Sequence, residues 1–372
     1  MTIKKCSVCG SKTRKNGKTS AGKQRWRCTS CNVSKSHKIN SDAKALKEFL
    51  DWLLSRRRQA DLPGGGRSFR RVNTKFWKMW PLPPLVDEIH RVIYVDGIYL
   101  NRNTVVLIAC SKDYVLGWYL AQSENSRAWQ ALLSRIAAPD MVITDGGQGF
   151  KGACMNVWPH TKIQRCRVHV FRQVRRCTTS RPKLDAGREL YALAGRLLHV
   201  DNIEKAQDWM FDYDCWLRTW DDFLKEMSDF NNRREYTHKR LRRARGSLNK
   251  LVRQGTLFTF LDPSLTRYGP LPASNNLIEG KVNAALRHML RDHRGLSLIR
   301  RIKAVFWWCY LHTEDPLPHA DMLKEMPTDD DVDALFFAAA ERQKMREILP
   351  GLGTAIVWSD LHLSGPERLE WS

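Results

Sequence analysis

The sequence predicts an α/β protein preceded by a small metal-stapled module. Three observations carry this. Between residues 91 and 165 short apolar runs alternate with amphipathic stretches, the pattern of strands and helices around one sheet. Two Cys-x2-Cys pairs, Cys6/Cys9 and Cys28/Cys31, stand 18 residues apart. Charge is blocked rather than spread: 62 Lys and Arg against 39 Asp and Glu give +23, and +17 of this lies in the first 80 residues.

These numbers also exclude function classes. A length of 372 residues suggests two or three domains, and 14 Trp and 13 Phe supply enough apolar bulk for real cores. No run reaches the roughly 18 apolar residues of a membrane span; the longest obvious one is 304–311. The N-terminus shows no apolar signal segment, so a soluble, cytoplasmic protein is expected. An excess of +23 is large for a metabolic enzyme and points to a polyanion, with nucleic acid the commonest. Positive blocks recur at 164–183, 233–253 and 281–303, whereas 314–372 carries −8.

Residues 1–40 are expected to form a zinc ribbon. Each Cys-x2-Cys turn aims two thiolates at one point, and two turns complete a tetrahedral site. Gly10 suits the first turn, and 24–28 reads as a strand entering the second. About 40 residues hold too little core to fold without a staple or metal. A cytosolic chain disfavours the alternative, a pair of disulfides. Cys6, Cys9, Cys28 and Cys31 would therefore bind a structural Zn2+. The other six cysteines read as small core side chains.

Residues 41–80 read as two helices. Leu46, Phe49, Leu50, Leu53 and Leu54 recur at helical spacing, Gly64-Gly65-Gly66 breaks the chain, and a basic helix is expected over 68–80. This pair resembles a helix-turn-helix unit. Pro81 to Pro84 then reads as a stiff boundary.

Residues 85–183 read as an α/β core. Apolar runs at 91–95, 104–110 and 114–121 with short loops predict three antiparallel strands. A helix over 125–137, a strand over 141–144, a helix and a strand over 162–164 follow. This is a ribonuclease-H-like order of elements. Asp96-Gly97 and Asp145-Gly146 each close a strand in this reading. One Asp-Gly alone reads as a turn. If the two strands are neighbours, both carboxylates point at one place and repel unless a hard cation lies between them.

Residues 184–269 read as a helical insertion, with 231–253 helical and basic. Trp209, Trp216 and Trp220 recur at i, i+7 and i+11; this favours a buried helix face over stacking on an unpaired base. Over 270–313 a helix follows Ser274 as N-cap and sets Glu279, Asn283 and Arg287 on one face.

Together these residues resemble the DDE transposases of the Mutator-like superfamily, in their bacterial insertion-sequence form. Val95-Asp96-Gly97 and Thr144-Asp145-Gly146 match its two aspartates, and Asn276-Leu277-Ile278-Glu279 matches its Asn-x-x-Glu motif. Asn283 matches the downstream Asn, and Cys166-Arg167-Val168-His169 the C-x2-H motif. The resemblance spans residues 6–313 and leaves the acidic tail, 314–372, unexplained.

It implies that Asp96, Asp145 and Glu279 hold two Mg2+ (or Mn2+) ions, cleave the ends of an insertion sequence and join them to target DNA. It implies terminal inverted repeats as a partner, bound by Arg25 and Arg27 of the ribbon and Arg70, Arg71 and Lys75 of the second helix. Cys166, His169, Asn276, Asn283 and Arg287 are further candidates for DNA contact. For Cys166 and His169, packing within the helix is an equal alternative, and no further ligand for a metal there is obvious in the sequence. Synapsis of two ends implies a dimer or larger assembly on DNA, in a bacterial cytoplasm at the nucleoid. The competing reading is a non-catalytic zinc-ribbon regulator derived from a transposase, which needs no acidic triad.

Overall fold

Two stretches far apart in sequence make the first of two units, residues up to 80 and those from 317 onward; residues 81–316 make the second. The computed structural model describes residues 5–6, 9–20, 22–36, 41–62, 65–147, 149–230 and 233–348.

The ribbon is a three-stranded antiparallel sheet of β1 (Thr13–Lys18), β2 (Gln24–Cys28) and β3 (Ser34–Ser36). Gly10, at φ +71°, turns the chain so that its N–H reaches Cys6 O at 2.9 Å. Helix α1 (Ser41–Leu53) buries Leu46, Phe49, Leu50 and Leu53 as expected. Leu54 lies beyond its end and is exposed.

Helix α2 (Gly65–Asn73) is shorter than the helix expected over 68–80; a 3-10 turn, Thr74–Lys78, replaces its second half. That turn sends Phe76 into the core beside Phe49, with ring centroids 5.7 Å apart. The expected break at 64–66 falls partly outside the described residues, since Gly64 is not among them.

The second unit is built on a five-stranded mixed sheet. Strands β4 (Val92–Asn101), β5 (Thr104–Cys110) and β6 (Val115–Ala121) are antiparallel, as expected. After α3 (Ser126–Leu133), β7 (Met141–Thr144) adds parallel to β4. After α4 (Phe150–Val157), β8 (Lys162–Arg165) adds parallel to β7. The order is β6-β5-β4-β7-β8, so β4 and β7 are central neighbours.

One expectation fails here. The first strand does not stop at Asp96-Gly97: Asp96 pairs with Ile108 and Gly97 with Leu107, and the hairpin turns at residues 102–103. Asp96-Gly97 is therefore no turn. Its backbone is spent on the β5 ladder, and what ends there is the partner strand β7 on the other side.

Side chains alternate across this sheet. Ile93, Val95, Val105 and Leu107 face α3 and α4, packing on Trp129, Leu132 and Phe150. On the opposite face Trp118 meets Phe306, centroids 6.1 Å apart, from a later helix.

Helices α5 (Arg167–Thr178), α6 (Asp185–Arg196), α7 (Ile203–Thr219) and α8 (Lys239–Arg253) share a second core. Between α7 and α8 lies a hairpin of β9 (Met227–Phe230) and β10 (Arg233–Tyr236), so the stretch expected to be helical from 231 begins as a strand. Trp209 and Trp216 are buried, and their Nε1 groups donate to Leu193 O (2.8 Å) and Ala186 O (3.0 Å). They are core side chains, as favoured, with no face free for a base.

A short helix, α9 (Pro263–Thr266), precedes the Glu279 segment. That segment is a π-helical turn, Ile278–Asn283, running into α10 (Ala284–Asp292), and α11 (Leu298–Leu311) supplies Phe306. The helix begins one residue later than expected: Asn275 O, not Ser274 O, accepts the first bond, from Glu279 N at 3.1 Å.

The acidic tail is not detached. Helix α12 (His319–Glu325) packs on α1, and Trp80 N–H donates to Pro327 O at 2.8 Å. At the start of α13 (Asp329–Ile348) Asp330 pairs with Lys78 at 3.7 Å. The tail beyond 348 lies outside the described residues. Among those residues no helix is long and apolar enough to cross a membrane.

Candidate active site and metal centre

The register of β4 and β7 builds the site. Val95 pairs with Thr144, so the next residue on each parallel strand, Asp96 and Asp145, stands beside the other. Gly97 N–H donates to Asp96 Oδ1 and Gly147 N–H to Asp145 Oδ1, both at 2.9 Å. Burial pushes the Asp96 carboxyl up to about 7, aided by the charges of Asp145, Glu279 and Glu124, against the Gly97 bond that lowers it.

The Glu279 segment closes over this point. Asn275 Nδ2 donates to Val95 O at 2.9 Å, and its N–H reaches Cys166 Sγ at 3.1 Å. Asn283 Nδ2 donates to Asp96 Oδ2 at 2.7 Å, while Asn283 Oδ1 is buried with no hydrogen-bond partner. Glu279 faces two side chains of α5: Arg172 Nη1 donates to Oε2 at 2.9 Å, and His169 Nδ1 lies 3.3 Å from Oε1 without a hydrogen bond, so both of those buried atoms lack a partner. Burial holds His169 below its usual range, against the Glu279 charge that raises it.

Cys166, His169 and Glu279 offer donor atoms within 4.8 Å of one another. A zinc site at Cys166 and His169 would need two more ligands, none of them obvious in the sequence; among the described residues the structure brings one, Glu279, 110 residues beyond His169 in sequence and adjacent in space. Cys166 and Asn283 are fully buried and engaged with Asn275 and Asp96, so neither has a surface to offer DNA. Asn276 and Arg287 are exposed, as are Arg25, Arg70, Arg71 and Lys75; Arg27 is half-buried. Lys75 pairs with Asp42 at 2.7 Å.

Three residues of the site carried no sequence signal that singled them out. Glu124, in the link between β6 and α3, fills the space over Gly97 and Gly147: a methyl on Gly97 would meet its Oε1 at 2.6 Å, and one on Gly147 would run into its Oε2. Burial, then Asp145, push Glu124 up, against a hydrogen bond with Tyr99. Arg165 ends β8 and lies against Gly146, with its Nε and Nη1 buried and unpartnered. Burial lowers it and Asp145 raises it. Arg172 is the third.

The second centre is in the ribbon. Cys6 and Cys31 Sγ are 3.6 Å apart, Cys9 and Cys28 3.4 Å, and all four lie within 4.8 Å of one another. Tetrahedral thiolates at about 2.3 Å from zinc stand roughly 3.8 Å apart, so this group could hold zinc. Hydrogen bonds from Ser11 bring the Cys9 thiol down to about 6, which favours a thiolate.

The comparisons with known proteins agree with one another. The sequence model described as "Transposase, Mutator family" matches residues 83–263. The transposase for insertion sequence element IS905 of Lactococcus lactis is 32% identical over 105 residues, 24% of this chain and 27% of that protein. The transposase for element ISRM3 of Rhizobium meliloti is 31% identical over 109 residues, 26% and 27% of the two. A probable insertion-sequence transposase of Corynebacterium diphtheriae is 25% identical over 126 residues, 28% and 37%. Each match thus spans little more than a third, or less, of the relative's length. The family match carries Asp96, Asp145, Cys166 and His169 and stops short of Glu279. Over residues 83–263 this chain is thus similar to the Mutator family of transposases.

Proposed function

We propose that the chain is a transposase that cleaves the ends of its insertion sequence and joins them to target DNA by DDE phosphoryl transfer in a ribonuclease-H-like core. The observation that carries this is the placement of Asp96 and Asp145 side by side on adjacent parallel strands, with the Glu279 segment bonded to Asp96 through Asn283. The donor set fits hard divalent cations: carboxylates and an amide, with Asp96 pushed up to about 7 by burial first and then by the charge of Asp145, both of which a bound cation would offset. Asp96, Asp145 and Glu279 would hold two Mg2+ or Mn2+ ions, which activate a water or 3′-hydroxyl and stabilise the leaving 3′-oxygen.

The chain's own residues do the rest. Asn283 Nδ2 fixes Asp96 Oδ2 and the Gly97 N–H fixes Oδ1, so the carboxylate is held in one orientation. Arg172 balances the charge of Glu279 and holds its carboxylate beside His169. Arg165, whose buried Nε and Nη1 lack partners, sets a positive charge beside Asp145.

The ribbon, held by a structural Zn2+, and the α1–α2 pair, acting as a helix-turn-helix-like unit, would bind the terminal inverted repeats through exposed Arg25, Arg70 and Arg71. Function on two ends implies a dimer or larger on DNA. The test is to incubate the full chain with DNA carrying its own flanking ends and Mg2+, and to map the products. Strand cleavage and joining that Asp96→Asn abolishes, with DNA binding kept, supports the reading; full activity in that variant sinks it.

A further inference from the structure

We propose that Glu124 is a fourth carboxylate of this metal centre, sharing with Asp145 one of its cations. The inference rests on the reading of Asp96, Asp145 and Glu279 as metal ligands, and adds a residue that neither the motifs nor the comparisons assign.

The geometry is specific. Asn125 caps α3 by accepting from Ala128 N–H at 2.9 Å, and this fixes the backbone that carries Glu124. The carboxylate then wedges between Gly97 and Gly147, the residues following Asp96 and closely following Asp145, where any side chain would displace it. Glu124 is half-buried, with Tyr99 as a hydrogen-bond partner, and among the described residues no Lys or Arg forms an ion pair with it.

A half-buried carboxylate packed close to other carboxylates, without a cation, is costly. An independent mark of an unmet polar partner lies in the amide bonded to Asp96. Asn283 is fully buried, yet its Oδ1 has no hydrogen-bond partner. A cavity of about 520 Å³, lined by Tyr99, Glu124, Ser126, Asp145 and Gly147, opens beside the group and leaves room for a phosphate and a water. Charge agrees: Asp96, Asp145, Glu279 and Glu124 together balance two divalent cations.

The test is Mn2+ binding to the full chain, followed through the loss of the free-ion electron paramagnetic resonance signal, beside cleavage of end-bearing DNA. Glu124→Gln should weaken Mn2+ binding at one site by roughly tenfold or more and slow cleavage. Gly147→Ala keeps every carboxylate but pushes Glu124 aside, and should weaken Mn2+ binding in the same sense. Because Glu124→Gln removes a repulsion, the metal-free variant should also melt no lower than wild type. Wild-type Mn2+ binding in both variants, with loss in Asp96→Asn, overturns the role of Glu124 and leaves the triad standing. Unchanged Mn2+ binding in Asp96→Asn overturns the triad itself.

Discussion

Asn283 Nδ2 donates a 2.7 Å hydrogen bond to Asp96 Oδ2, joining the turn that carries Glu279 to the central strand. The two residues are 187 apart in sequence, and the amide is fully buried. Asn283→Ala removes the donor and leaves Asp96 facing its acidic neighbours with one bond fewer. It should destabilise the protein by about 1–3 kcal/mol and weaken Mn2+ binding. Asn283→Asp keeps the shape and adds a like charge, so its metal-free melting temperature should fall further than that of Asn283→Ala and recover more on adding Mn2+. Equal recovery in the two variants would argue against a cation at Asp96.

Asp96 gives the protein a pH signature. Its folded value, about 7, lies above the ordinary carboxylate value of 3.8. Between those values the native state holds the proton and the unfolded state has lost it, so stability falls as pH rises. Each pH unit in that window is worth about 1.4 kcal/mol. Below about pH 4 the penalty is absent, and above about pH 7 it is constant. Urea midpoints of metal-free wild type and Asp96→Asn should therefore coincide near pH 4 and diverge towards pH 7, with the Asn variant more stable. Saturating Mg2+ should shrink the gap. Parallel curves across this range would contradict the burial and charge argument for Asp96.

The ribbon predicts a metal content. Four thiols that close cannot all ionise without a cation, and the three short strands around them bury little besides Cys6 and Cys28. Purified protein should carry one zinc per chain by elemental analysis, and Cys28→Ser should lose it. Chelation should open the amides of β2 to hydrogen exchange while leaving those of β4 and β5 protected. Protection of β2 in metal-free protein would sink the zinc assignment.

The parts of the fold legible in the sequence were those set by local rules. The Cys spacing, the apolar alternation of β5 and β6 and the helical repeat of Leu46, Phe49 and Leu50 all survive in the structure. What escaped was set by distant partners. Nothing local says that β4 runs on past Asp96, because its continuation is fixed by the β5 ladder. Glu124 looks like any polar loop residue until Gly97 and Gly147 close around it. The acidic residues after 317 have no visible use until Asp330 meets Lys78 and α12 covers α1. The two aspartates and Glu279 could be chosen from their motifs. Arg165 and Arg172 could not, since their sequence context is one more basic helix and strand end.

Arg172 occupies Glu279 in this structure, with its guanidinium at 2.9 Å from one carboxylate oxygen. A cation arriving at Glu279 must displace it, so the ion pair and the metal compete for the same charge. Arg172→Gln should therefore tighten Mn2+ binding. The pair is about half exposed on the arginine side, and such a pair is worth about 0.2–1 kcal/mol, which converts to roughly a 1.5- to 5-fold gain in affinity. The gain should vanish in the background of Glu279→Gln, because there is no carboxylate left to free. High salt should narrow the difference between wild type and Arg172→Gln by screening the pair in the wild type. Weaker Mn2+ binding in Arg172→Gln would mean that the arginine steers Glu279 towards the cation, and the competition between the two would have to be abandoned.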